Sequence, residues 1–309
     1  MVSEELQSTS VVARACMRAG LAWQDATPIR LAENEIWRLP SEHVVVRVPK
    51  PGRQKASQRE VSISHWLAVH EVPAVFALDQ VAQPIDIDGH AVTFWQELPP
   101  HTTANIVDVA RLLRQLHALD VPDFDIGDIE PFVRVSERIG DAAFLSQDDR
   151  DWLLSLLERL TQEWLQLPSG RSRCVVHGDA WVGNCVLGED GKAYLLDFER
   201  TSIGPPEWDL VSTAVRLIQG TISREQYRAY CEAYGVDVTA WSGFETLLSI
   251  RELRITSWAT EVATRHPQWQ KEAQHRVDCL RGHHGPRPWH WQIIKPELQP
   301  STSVVQTSS

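Results

Sequence analysis

The residues best suited to chemistry lie in one stretch, Cys174 to Leu210, CVVHGDAWVGNCVLGEDGKAYLLDFERTSIGPPEWDL. Within it Asn184 follows Asp179 by five residues, and Asp197 follows Asn184 by thirteen. A carboxylate and a carboxamide brought together offer hard oxygen ligands, which suit a magnesium ion that also holds phosphate oxygens. A second carboxylate on the loop before them is placed to accept a proton from an attacking hydroxyl. Phosphoryl transfer asks little more of a protein, because positioning and charge neutralisation carry most of its catalysis. Each of the three residues, taken alone, reads as an ordinary turn or strand-end residue. Their order and spacing together point to chemistry.

The elements around them read as strand, loop, strand, hairpin and strand. Val175 and Val176 end an apolar run, and His177-Gly178-Asp179 opens a loop. Cys185, Val186 and Leu187 make a short strand, Asp190-Gly191 is a hairpin turn signal, and Tyr194, Leu195 and Leu196 make the returning strand. A hairpin of this length returns Asp197 to the neighbourhood of Asn184.

HGDxxxxN, followed by the LLDFE strand end and GPPEWDL, resembles the aminoglycoside phosphotransferase family, which shares the protein-kinase-like fold. Protein kinases place an Arg between the His and the Asp; a Gly there, as Gly178, is the small-molecule kinase form. The resemblance implies Asp179 as catalytic base, Asn184 and Asp197 as Mg2+ ligands, His177 as an orienting residue and Asp209 as structural support of the catalytic loop. It implies an α+β, two-lobed fold, with an N-terminal antiparallel sheet lobe over residues 1–98 and a mostly helical C-terminal lobe over 99–309.

Upstream, LAENEIWRLP and HVVVRVP read as two antiparallel strands joined around Pro40-Ser41. Arg47 is a long cation inside an otherwise apolar run. It reads either as an edge-strand charge or as a cation for nucleotide phosphates, tethered by Glu60 on the next helix, Ala56 to His70. The resemblance covers this pair, a basic residue on the third strand with a helix glutamate. No GxGxxG or GxxxxGK[ST] occurs, so neither a Rossmann nor a Walker phosphate loop is available. Ala32-Glu33-Asn34-Glu35 occupies the place of the family's nucleotide loop, where Asn34 or backbone amides would touch phosphate. VAQPIDI and HAVTFWQEL flank an Asp88-Gly89 hairpin and run into Pro99-Pro100, a stiff exit suited to a lobe boundary. By the same resemblance this linker, with Gln96, Glu97 and Leu98, lines the adenine pocket.

Residues 10–22 are expected to form a first helix, and 1–9 and 297–309 to be frayed or disordered. Thr103 is expected to cap a helix whose stripe runs Ile106, Val109, Leu112, Leu116 and Leu119, with His117 packed rather than catalytic. Residues 120–170 hold twelve acidic residues against four arginines and read as a helical insertion, with Ser146 and Asp149 opening its strong helix. Beyond Leu210 the pattern is helical to about residue 282. Residues 216–295 carry eleven Lys/Arg against eight Asp/Glu, with five tryptophans read as packing. The His283-His284 pair lacks a Cys or carboxylate at ligand spacing and is not read as a metal site.

The totals exclude several classes. Charge of 23% and hydrophobic content of 43% describe an ordinary soluble globular protein. Net charge −11 argues against nucleic acid as a partner. Five scattered cysteines without a CxxC pair fit a reducing compartment. With no signal peptide and no apolar run long enough for a membrane, the cytoplasm is the expected location.

The expected function is transfer of the γ-phosphoryl group of ATP or GTP to a hydroxyl of a small molecule. The resemblance points first to an antibiotic or related natural product. The alternatives are a metabolic kinase acting on choline, homoserine, a sugar or a glycated amine, and a nucleotide-binding pseudokinase. The sequence is silent on oligomeric state.

Overall fold

The computed structural model describes residues 2–31 and 34–294. Chain contacts divide it into two compact units. The first comprises residues 1–129, 172–209 and 229–235, and the second 130–171, 210–228 and 236–309.

The first unit begins with helix α1, Val2–Ala19. It starts earlier than the expected 10–22, because Ser3-Glu4-Glu5-Leu6-Gln7 are adequate helix formers whose polarity alone suggested fraying. It stops at Gly20, which takes a left-handed φ of 72° while the Leu21 amide bonds back to the Cys16 carbonyl at 2.9 Å. Five strands follow: β1 Thr27–Arg30, β2 Asn34–Leu39, β3 Val44–Pro49, β4 Ile85–Ile87 and β5 His90–Gln96. They form one antiparallel sheet in the order β1-β2-β3-β5-β4. The β2–β3 pair and the Asp88-Gly89 hairpin match expectation. Strand β1 does not appear in the periodic pattern, since all four of its residues are exposed.

Period-two alternation sorts β3 into two faces. Val44, Val46 and Val48 pack with Trp37, Leu39, Ile87, Val92, Phe94 and with Val11, Val12, Ala15 and Cys16 of α1. Arg47 therefore points to the opposite face, the side from which helix α2, Gln54–Val69, reaches it.

After β5 the chain passes Pro99-Pro100 into β6, His101–Thr103, and then helix α3, Ile106–Leu116. Asn105, not Thr103, caps α3: its side chain accepts from the Val107 and Asp108 amides, and Asp108 returns the bond to the Asn105 amide. Thr103 is instead paired to β8, Cys185–Gly188, and Leu119 lies past the helix end. Strands β6, β8 and β9 (Ala193–Leu195) form a three-stranded sheet, and β7 (Cys174–Val176) pairs with β10 (Ser202–Gly204).

The second unit is helical. The insertion supplies α4, Val135–Asp141, and α5, Gln147–Leu165, the latter capped by Ser146 as expected. Helix α6 (Glu207–Ile218) begins in the last residues of the first unit, α7 (Arg224–Tyr234) runs from the second unit into residues 229–235 of the first, and α8 (Phe244–Arg265) and α9 (Gln270–Leu280) complete the second. The segment after α9 is held by a layered stack. Arg287 lies over Trp289, Trp289 stacks on Trp291 at 5.4 Å, and Arg276 lies over Trp291. Each guanidinium is also ion-paired, Arg287 with buried Glu252 at 2.6 Å and Arg276 with Glu272 at 2.8 Å. These tryptophans are packing, as their frequency suggested. No helix among the described residues is long and apolar enough to cross a membrane. The expected disorder at 297–309 lies outside the described residues.

Candidate active site

The loop after β7 is built from the backbone upward. Gly178 has φ 83°, a region open to glycine at little cost. A Cβ there would also stand 2.8 Å from the carbonyl carbon of Arg200, closer than any side chain tolerates. Only Gly fits. Asp209, near the start of α6 and fully buried, accepts from the His177 amide at 2.7 Å and the Gly178 amide at 2.9 Å. His117 Nε2 approaches the same carboxylate at 3.0 Å, and Tyr234 OH meets His117 Nδ1 at 2.9 Å. A carboxylate oxygen only accepts, so Nε2 carries the hydrogen. Burial alone would raise the Asp209 carboxyl; the hydrogen bond and charge of His117, with His177, hold it below the usual range. Trp208 completes the support by donating its indole N–H to the Gly178 carbonyl at 3.0 Å.

Asn184 joins the loop to the strand end. Its amide nitrogen donates to the Asp179 carbonyl at 2.9 Å and to Asp179 Oδ2 at 3.2 Å. Its own backbone carbonyl accepts from the Leu196 amide at 2.9 Å, so Asp197 is the next residue along. The hairpin returns as expected. Asp197 adopts a left-handed φ of 61°, an uncommon state for a non-glycine residue and one concentrated at functional sites. His177 Nε2 contacts the Leu196 carbonyl at 2.8 Å, a second tie between the loop and the Asp197 strand.

With its nitrogen committed to Asp179, Asn184 has its side-chain oxygen available to a cation. No Lys or Arg among the described residues is ion-paired to Asp197; its carboxylate accepts only from the Glu199 amide, at 3.4 Å. This donor pair fits magnesium, which is held by one or two carboxylates together with substrate phosphates and water. No group of three or more His, Cys, Asp or Glu suited to a metal occurs among the described residues, His283 and His284 included.

Arg47 and Glu60 form a largely buried ion pair. Glu199, two residues beyond Asp197, contacts Arg47 at 3.7 Å and Arg53 at 2.5 Å. Sequence reasoning missed Glu199 and Arg53; the signal available was a second carboxylate at i+2 on the same strand end. Burial pushes the Glu60 carboxyl up to about 7; Arg47 opposes the shift, and Asp197 and Glu199 add to it. Protonation below that value removes the charge that tethers Arg47. The apparent KM for magnesium-nucleotide should therefore rise as pH falls through about 7, in a steady-state titration. Glu60→Gln, which carries no charge at any pH, should show a raised KM with no such inflection. An identical pH profile in both proteins would refute the tether.

Two further expectations meet the structure differently. Asn34 opens β2 opposite Pro49, two residues from Ile36, which faces Arg47 across the pair. Asn34 thus shares the Arg47 face, while Ala32 and Glu33 lie outside the described residues. In the linker, the amides of Gln96 and Glu97 are taken by the Phe76 and His43 carbonyls at 2.7 and 2.9 Å. The Glu97 carboxylate is held by Arg38 at 2.5 Å. Among the described residues the Leu98 amide has no hydrogen-bond partner, and the Gln96 carbonyl ends β5 two residues before it.

The model of a phosphotransferase enzyme family matches residues 25–247. No curated protein matches the chain. Among solved structures, amicoumacin kinase hAmiN is similar at 14% identity and TM-score 0.67, over 89% of this chain and 96% of that one. A choline/ethanolamine kinase family protein from Mesorhizobium loti is similar at 15% identity and TM-score 0.61, over 91% and 96%. Aminoglycoside phosphotransferase APH(3'')-Id from Streptomyces rimosus, seen with ADP and streptomycin, is similar at 20% identity and TM-score 0.56, over 78% and 97%. At these identities the likeness shows the fold, which is the α+β, protein-kinase-like one.

Proposed function

Since the chain belongs to this phosphotransferase enzyme family and is a small-molecule phosphotransferase, we propose that it moves the γ-phosphoryl group of ATP or GTP to a hydroxyl of a small molecule. Residues 1–98 hold the nucleotide, and 99–309 carry catalysis and the acceptor. The observation that carries this reading is the double role of Asn184, whose amide fixes Asp179 while its backbone carbonyl fixes the strand that ends in Asp197.

Asp179 takes the proton of the acceptor hydroxyl as its oxygen bonds to the γ-phosphorus. The bond from that phosphorus to the bridging oxygen breaks, and the nucleoside diphosphate leaves with the electron pair. Asn184 and Asp197 would hold a magnesium ion, which when bound would supply positive charge against the phosphate oxygens. Arg47, steadied by Glu60, offers a guanidinium to the phosphates. The Gln96 carbonyl and Leu98 amide present an acceptor and a donor to the base, which suits either purine. His177 and Asp209 hold the loop and touch no substrate. The acceptor is an antibiotic or related natural product, and the protein acts in the cytoplasm.

A mass-spectrometric transfer assay tests this. ATP and GTP are offered separately, with magnesium, to a panel of hydroxylated antibiotics together with choline, homoserine and sugars. A phosphorylated antibiotic is the expected product. Phosphorylation of a common metabolite alone would replace the antibiotic reading with a metabolic one. Absence of nucleotide binding would bring the pseudokinase alternative down as well.

A further inference from the structure

Arg47 is flanked by two carboxylates of different character. Glu60, buried on α2, pairs with it from within the fold. Glu199 is the one that solvent reaches: its side chain is 28% exposed, against 7% for Glu60. One Glu199 oxygen lies 3.7 Å from Arg47, and the other lies 2.5 Å from Arg53. A single carboxylate thus spans both guanidiniums, and an anion that takes its place on Arg47 comes within reach of Arg53. Arg53 has little local reason to be a cation. It is the N-cap of α2, its side chain makes no cap bond, and the first turn holds no acidic residue. The helix dipole disfavours positive charge at this end. The pair with Glu199 contributes little by itself, because the Arg53 side chain is 47% exposed. The backbone of Glu199, by contrast, is fixed. Arg59 of α2 donates to its carbonyl at 2.6 Å and to the Ile126 carbonyl at 3.2 Å, while its amide bonds to Asp197 Oδ1 at 3.4 Å. The Glu199 side chain can leave both arginines by rotation alone, without moving the strand end that carries Asp197.

We propose that Glu199 is an internal stand-in for nucleotide phosphate: its carboxylate occupies a phosphate site between Arg47 and Arg53, and the incoming phosphate chain displaces it, which makes Arg53 a second phosphate ligand. This rests on the kinase reading above. A guanidinium binds phosphate through the same paired N–H bonds that it offers a carboxylate, and the phosphate brings more charge and more acceptor oxygens. Glu60 stays in place and holds Arg47 throughout the exchange. Until the nucleotide arrives, Glu199 keeps two neighbouring cations neutralised.

Removing Glu199 and removing Arg53 should act in opposite directions. A merely structural ion pair cannot produce that result, since either change breaks the same bridge. Isothermal titration of the full chain with ATP, inorganic tripolyphosphate and adenosine reads the signs, without magnesium so that only the protein's own charges are compared. Glu199→Gln should tighten ATP and tripolyphosphate about threefold, because no carboxylate has to be displaced. Arg53→Gln should weaken both about tenfold, through loss of a charged hydrogen-bond donor. Arg53→Lys should recover part of that loss, keeping the charge but not the fork. Adenosine, which has no phosphate, should bind all four proteins alike. Both residues are partly exposed, so the variants should keep the thermal midpoint of the unaltered protein. Changes of the same sign in the two Gln variants would overturn the exchange, as would an ATP affinity that Arg53→Gln leaves alone. In either case a phosphorylated product in the transfer assay would leave the kinase reading standing. An unaltered protein that binds neither ATP nor tripolyphosphate would sink both readings together.

Discussion

Asp179→Ala should lower turnover by about 10²–10⁴ while leaving the fold intact. The expectation of an intact fold follows from the bonds around it. Asn184 loses the contact to Asp179 Oδ2 but keeps the one to the Asp179 carbonyl, and the loop stays anchored through Asp209. Asp179→Asn is the sharper control, because it preserves volume and hydrogen bonding while removing a site for the proton. Single-turnover rates with saturating magnesium-nucleotide should fall in both variants, with thermal midpoints close to the unaltered protein. Unchanged turnover in either one would remove Asp179 from the role of base.

Asp209→Ala should act the other way round, on stability before chemistry. Its carboxylate is the shared acceptor of the His177 amide, the Gly178 amide and the His117 ring. Deleting it strands three buried donors, and loss of one partner from such a buried network costs about 3–5 kcal/mol. Asp209→Asn should recover only part of this, because its NH2 group turns one acceptor into a donor that faces other donors. The pH sign is fixed by the depressed carboxyl: its stabilising contribution is present above the ordinary carboxylate range and is lost as pH falls through the lowered value. Chemical denaturation at neutral and acidic pH should show the gap between the two proteins narrowing in acid. A constant gap would argue that the ionised form is not what supports the loop.

Much of this was legible in the sequence, for identifiable reasons. HGDxxxxN and the LLDFE strand end are local, so the hairpin that rejoins Asn184 and Asp197 follows from a turn signal and strand lengths. The pairing of Arg47 with Glu60 was legible through the family resemblance, since the residues alone left an edge-strand charge open for Arg47. What stayed hidden depends on partners far along the chain. His117 reads as a packed residue in RQLHALD, and it is packed; its bonds to Asp209 and Tyr234 span 92 and 117 residues. Strand β1 is an exposed edge without the alternation that burial imposes. Thr103 looked like a cap because Thr is a cap residue, yet Asn105 makes the reciprocal pair with Asp108 that decides the boundary.

The close approach of Gly178 to Arg200 has a bearing on how such sites can change. The loop that carries Asp179 and the segment just past Asp197 touch backbone to backbone, with no side chain between them to be traded for a longer or shorter one. Drift at either segment is thereby coupled to the other. An arginine at position 178, the protein-kinase form, is reachable only if residues 197–200 are re-laid at the same time. Substitution of Gly178 by single steps is closed there, and in this chain the constraint is one of steric geography rather than of catalytic preference.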